Sequence, residues 1–480
     1  MRIPKLRIAT LIVVLALVAT ACGARLNDQQ LAAVKAAQTS RAAASNGSSD
    51  TTVPLGQDST TDSTVAGSTS GGTSNGSTHT TTAGGSTQAA LANVHALPAG
   101  GNGGATDVGV NATGITLGNV STVTGPVPGL FAGATVGAQA VVAYENSLGG
   151  LFGRKFKLDP RDDQFDTGQN RSQTIDLIGK AFGFLGSFSL YDDAAASQID
   201  AANMPDMSHA LSTTRLNIKD NFSVQASVPG GPLGPMNYFK QKNPDAITKV
   251  GSIYSDVPSA VALHQGYKRA AESVGYQYIY ERAIGATETD FTSDVVRMRD
   301  KGVKMVYLTS VDDKTTYRFA KAMKSQAWKP DLFVVNGSGY DADVIALAGD
   351  AAEGMLVTLS TALYGGEDAK IVPEVALMDK WVQNVKPGFT PDIFTAYAWA
   401  GGRLLFEAME HVGPKPTRAA VIAEVKKIGP FDDFGLFAPS DPGAKKPATC
   451  FILAKVVNGK YTRYDSPASS FRCGDPWFYG

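Results

Sequence analysis

Residues 182–212 read FGFLGSFSLYDDAAASQIDAANMPDMSHALS, with Phe182 at the start and Ser212 at the end. The run 182–185 is short and apolar, in the manner of a buried strand, and it breaks at Gly186 into Ser187, Phe188 and Ser189. A helix-like block follows over 193–202, then a second short strand over 204–208 that again runs into small polar residues. Two serine-bearing turns therefore sit at the same end of adjacent strands. In an open α/β sheet, ligands bind beyond the carboxyl ends of the strands, where hydroxyls and free helix N–H groups converge. Ser189 and Ser212 are candidate ligand contacts on that ground. Serine also commonly caps helices, and this stretch alone favours the capping reading.

The same rhythm extends outward from this stretch. A first strand through Ile115, Leu117 and Val120 leads to a helix over 130–147 closed by Gly149 and Gly150, the residue type that most easily adopts the left-handed cap. A strand through Phe156 and Leu158 comes next. Farther on, strands over 250–254, 276–282, 305–309 and 332–336 alternate with helices over 259–274, 291–301 and 313–327. Such alternation predicts an α/β fold of parallel sheets covered by helices on both faces. The units are too many for one small sheet, so two lobes are expected.

The chain has 480 residues and a net charge of −1, so it has room for more than one domain and no basic patch for a nucleic-acid partner. Its start reads as an address. Arg2, Lys5 and Arg7 precede an apolar run over 8–18 that ends in Ala19, Thr20, Ala21 and Cys22. This pattern resembles the lipobox of bacterial lipoproteins, which implies a signal peptide over 1–21, cleavage before Cys22 and lipid on that cysteine. Residues 22–106 are then expected to hold a short alanine-rich helix and a disordered Ser/Thr/Gly linker, too poor in apolar residues to offset its ordering entropy. About sixty flexible residues span roughly 40–50 Å. A glycosylated or wall-spanning stalk fits the same composition. With Cys22 assigned to lipid, Cys450 and Cys473 form an even pair flanking a hairpin over 451–461, and a disulfide is expected outside the cytoplasm.

Four segments carry a wider resemblance: GVNATGITLGNVSTVTGPV, ENSLGGLFGRKFKLDPRDDQFD, the serine stretch, and TDFTSDVVRMRDKGVKMVYL. In order and spacing they are similar to the type I periplasmic solute-binding proteins, leucine/isoleucine/valine-binding branch. The resemblance implies two doubly wound parallel-sheet lobes joined by three crossovers near Val224, Leu356 and Phe434, with a ligand cleft between them. Lobe 1 is then 107–225 plus 357–433, and lobe 2 is 226–356 plus 434–480. It further implies that Ser189, Ala210 and Ser212 grip a ligand carboxylate, and that an ABC permease is the partner of a monomer anchored through lipid in the cell envelope. This sequence departs from the pattern where amino-acid binders carry an acid for the ligand ammonium, since it reads Asn336, Gly337 and Ser338. Asp312 or Asp341 would have to supply that charge, because an unpaired ammonium in a dry cleft is costly. Tyr191 and Tyr340 are candidate pocket walls or surface packing residues.

Catalysis finds no support in the residues. The five histidines lack metal-ligand spacing, and no P-loop or H-E-x-x-H pattern occurs. Neither cofactor nor metal is expected. Asp162 with Asp163, and Asp192 with Asp193, read as caps for N–H groups. Two functions remain: a lipoprotein that captures an amino-acid-like carboxylate or amide for an ABC importer, or the same body used as a sensor or envelope interaction module.

Overall fold

The computed structural model describes residues 94–480. The expected signal peptide, Cys22 and the linker up to residue 93 lie outside the described residues.

Lobe 1 opens with β1 (Gly114–Ser121), α1 (Ala132–Leu148), β2 (Lys155–Asp162), α2 (Thr167–Ile178), β3 (Gly183–Leu185), α3 (Ala196–Ala201), β4 (Asp206–Met207) and α4 (Thr213–Asn217). Its four strands lie in the order β2-β1-β3-β4, all parallel. Lobe 2 follows with β5 (Gly231–Pro232), α5 (Leu233–Lys242), β6 (Val250–Ser255), α6 (Pro258–Ser273), β7 (Tyr278–Ile284), α7 (Thr292–Asp300), β8 (Met305–Leu308), α8 (Asp313–Ser325), β9 (Leu332–Val335), α9 (Ala342–Ala348) and β10 (Leu356–Leu359). The chain then returns to lobe 1 as α10 (Pro373–Val385), α11 (Ile393–Val412) and α12 (Arg418–Val425). It ends in lobe 2 with β11 (Ile452–Val457), β12 (Lys460–Arg463) and β13 (Trp477–Phe478).

The second sheet has the order β12-β11-β10-β9-β8-β6-β7, parallel from β7 to β10 and antiparallel at the β10-β11-β12 edge. Its central strands are covered on both faces, which is why they read as unbroken apolar runs: Val306, Leu308, Val334 and Val335 have no exposed surface. Each such side chain contributes about 1.5–3 kcal/mol of burial. In lobe 1, α1 and α11 pack backbone to backbone. A Cβ at Gly137 would stand 2.3 Å from the Thr395 carbonyl, and one at Gly402 would meet Val141 at 2.4 Å, so only glycine permits this approach.

Three chain segments pass side by side between the lobes. Ala362 N donates to Leu436 O at 2.8 Å, Ala438 N to Ser360 O at 2.7 Å, and Gln225 Nε2 to Ala438 O at 2.9 Å. The first passage runs by Val224, whose carbonyl accepts from Ser440 Oγ at 2.5 Å. The second falls at residues 360–362 rather than Leu356, because β10 completes its pairing with β9 and β11 before the chain leaves the sheet. The third falls at residues 436–438, slightly beyond Phe434.

The packed body starts earlier than Asp107. Residues 94–106 are laid onto lobe 1: Phe152 N donates to Val94 O at 2.7 Å, and Asn102 Nδ2 donates to Ala112 O and Phe152 O. Arg154, 1 % exposed, donates to the carbonyls of Asn102, Gly104, Asn111 and Pro414. A buried guanidinium needs those carbonyls, and the segment before Asp107 supplies two of them. Cys450 and Cys473 are joined in a disulfide, and beyond it β13 pairs with β5 beside the first crossover. No helix among the described residues is long and apolar enough to cross a membrane.

Candidate functional site

A cavity of about 460 Å³ lies between the lobes. Its wall is built beyond the carboxyl ends of strands from both sheets, where an open α/β sheet presents its ligand site. Lobe 1 supplies Phe131 after β1, Phe165 after β2, Leu190 after β3, Leu211 after β4, and Phe394 from the first turn of α11. This side is an apolar platform: Phe131 meets Phe394 edge-on at 4.8 Å, and Phe188 supports both from behind at 5.1 and 4.9 Å. Lobe 2 supplies Ser255, Ile284, Ser310 and Asn336 at the ends of β6, β7, β8 and β9, together with one face of α6.

His209 joins the cavity wall to the first crossover. Its Nδ1 lies 2.9 Å from Ser223 Oγ and its Nε2 2.9 Å from Ser227 Oγ. Ser223 donates its proton to Gln225 O at 2.9 Å, so it accepts from Nδ1–H, and Nε2 accepts from Ser227. Burial pushes the imidazole pKa down to about 3, which keeps the ring neutral. The ring stacks on Phe188 and packs against Tyr397.

Of the residues proposed from sequence, Asp312 lines the cavity, and so do Asn336 and Ser338 at the turn where an acid was sought. Asp312 accepts from Thr315 N at 2.7 Å as the N-cap of α8, so its charge serves its own helix. Asp341 likewise caps α9. The other five stand elsewhere. Ser189 is buried, donates to Asp163 and accepts from Tyr191 N at 3.0 Å. Ser212 accepts from Arg215 N at 3.1 Å as the N-cap of α4, while its own N–H donates to Asp192. Ala210 is fully buried between two cavity residues, His209 and Leu211. Tyr191 packs edge-on behind Phe165. Tyr340 is buried against Tyr364 and Tyr461 and donates to Glu367. Both serine turns stand where the sheet topology requires, but in this structure their hydroxyls are spent inside lobe 1.

Three of the four aspartates, Asp162, Asp163 and Asp192, bind N–H groups through their side chains, of loops more than of helices. Asp162 accepts from Val123 N and Gln164 N, and Asp163 from Phe165 N. Asp192 accepts from Leu211 N at 2.7 Å, and its burial raises its pKa to about 6.

Two doubly wound lobes, three adjacent passages between them and a cavity walled by both define a hinged binding protein of type I architecture. Residues 114–460 match the family described as periplasmic binding protein, and the chain belongs to that family. A Leu/Ile/Val-binding protein homolog 2 of Brucella abortus is 25 % identical over 339 residues, covering 68 % of this chain and 87 % of that protein. Among solved structures, a fatty acid ABC transporter substrate-binding protein from Thermomonospora curvata aligns with a TM-score of 0.65 at 20 % identity, over 78 % of this chain and 94 % of that one. A branched-chain amino acid ABC transporter protein from Thermus thermophilus with bound valine aligns with a TM-score of 0.65 at 18 % identity, over 75 % and 97 %.

Proposed function

We propose that this chain is an extracytoplasmic solute-binding lipoprotein, anchored through Cys22, that captures a small organic molecule between its lobes and delivers it to the permease of an ABC importer. The observation that carries the reading is the cavity of about 460 Å³ walled by both lobes, within the size range of roughly 300–1,000 Å³ typical of small-molecule sites. A ligand touching both walls favours the closed arrangement by the difference in its contacts with the two states. Its carboxylate or amide head and apolar body match the cavity's mix of one aromatic platform with a few polar groups. The names of the relatives, Leu/Ile/Val-binding proteins and ABC substrate-binding proteins, fit the same role. Mass spectrometry of small molecules released by denaturing the purified protein tests the reading. A single organic solute near one equivalent is expected, and failure of the protein to retain any solute from a broad metabolite mixture would overturn it. For the anchor, Cys22→Ala is expected to release the protein from membranes with solute capture intact.

A further inference from the structure

The cavity has one cationic and one anionic side chain on its wall, Arg269 and Asp312. Asp312 is committed to the N-terminus of α8. Arg269 is exposed and makes no hydrogen bond or ion pair among the described residues, and a Cβ added at Gly480 would stand 3.0 Å from its guanidinium. Gln265 precedes it by one helical turn on the same face of α6, lines the cavity, and is also without a hydrogen-bond partner among the described residues. Among the other polar groups on the lobe 2 wall, Ser310 donates to Ala260 O, Ser338 to Val311 O and Asn336 to Thr309 O, whereas the buried Ser259 hydroxyl in the first turn of α6 has no partner among the described residues. The wall follows α6 from Ser259 to Arg269, ten residues or about 15 Å of helix.

Resting on the solute-capture reading above, we propose that the ligand is an aliphatic monocarboxylate, held by its head at Arg269 and Gln265 in lobe 2, with its chain lying on Leu263, Leu211, Phe165 and Phe131. One guanidinium fork donates to both oxygens of one carboxylate, which selects a single negative charge. The one acid on the wall, Asp312, already gives Oδ1 to Thr315 N, so a zwitterionic amino acid has only Asp312 Oδ2 to set against its cation. A groove of this length suits an extended chain. The head is then on the lobe opposite Ser189 and Ser212.

The test is isothermal titration of the full chain with decanoate, decan-1-ol and L-leucine. Wild type is expected to bind decanoate more tightly than decan-1-ol. Arg269→Ala is expected to weaken decanoate about ten- to a hundredfold, the worth of a charge-assisted contact, with decan-1-ol unchanged and Arg269→Lys intermediate. Because Arg269 is exposed, the variant's thermal unfolding should match wild type. Equal decanoate affinity in wild type and Arg269→Ala overturns the head assignment. Tight L-leucine binding without decanoate binding overturns the ligand class but leaves solute capture standing. Retention of no solute at all, in the release experiment, overturns the function reading beneath it.

Discussion

Ser189 and Ser212 show how one residue type answers to two physical roles. Ser212→Ala removes a cap worth about 1 kcal/mol, and Ser189→Ala takes one donor from the buried Asp163, a loss of roughly 1–2 kcal/mol. Thermal unfolding of both variants should therefore move down while the affinity for the released solute holds. A large affinity loss with unchanged stability would return the serines to the ligand. Their place at strand ends was legible from short apolar runs followed by small residues. Their partners were not, because Asp163 lies 26 residues before Ser189 and only the fold brings them together. Asp312 was legible as a cavity residue, whereas Arg269 and Gln265 carry no signal beyond an ordinary amphipathic helix face.

A second residue-scale expectation concerns Glu145, fully buried on α1 near Arg403. Burial raises its pKa to about 7, against the opposing pull of Arg403 and Lys155. The folded state thus holds a proton that the unfolded state releases above its ordinary value near 4.5. Its contribution to stability is full at low pH and is lost as pH rises toward 7. The melting temperature should fall across that window, and Glu145→Gln should flatten the fall. Identical slopes in the two proteins would contradict this.

At the level of elements, the parallel strands were legible because burial on both faces leaves continuous apolar runs. Helix α11 has fifteen buried residues among its 20, so its sequence shows no clear apolar stripe, and the glycines that seat it on α1 acquire meaning only from the packing. The packing of 94–106 onto the body was also hidden, since Val94 is the segment's one apolar side chain on the main core and much of the hold comes from carbonyls and an asparagine. Asn102→Ala should cost about 1–3 kcal/mol by removing the two hydrogen bonds that the buried Asn102 amide gives to Ala112 O and Phe152 O, read by denaturant unfolding. An unchanged midpoint would show that the segment adds nothing to the fold. At the other end, the Cys450–Cys473 bridge closes a span of 23 residues. Cys450→Ala with Cys473→Ala should lower stability by about 3 kcal/mol on the chain-entropy account.

For the whole molecule, the three passages at Val224, 360–362 and 436–438 join the lobes through one short band of backbone. Opposite them, Lys314 Nζ in lobe 2 donates to Pro128 O in lobe 1 at 2.8 Å. This contact is exposed, so Lys314→Ala should weaken solute binding by no more than a few-fold, leave the melting temperature of the empty protein unchanged, and speed solute release. The central claim is capture of a solute between the lobes, and small-angle X-ray scattering tests it most directly. The radius of gyration should fall when the solute found by mass spectrometry saturates the protein at one equivalent. Stoichiometric binding with an unchanged radius of gyration would contradict capture by closure.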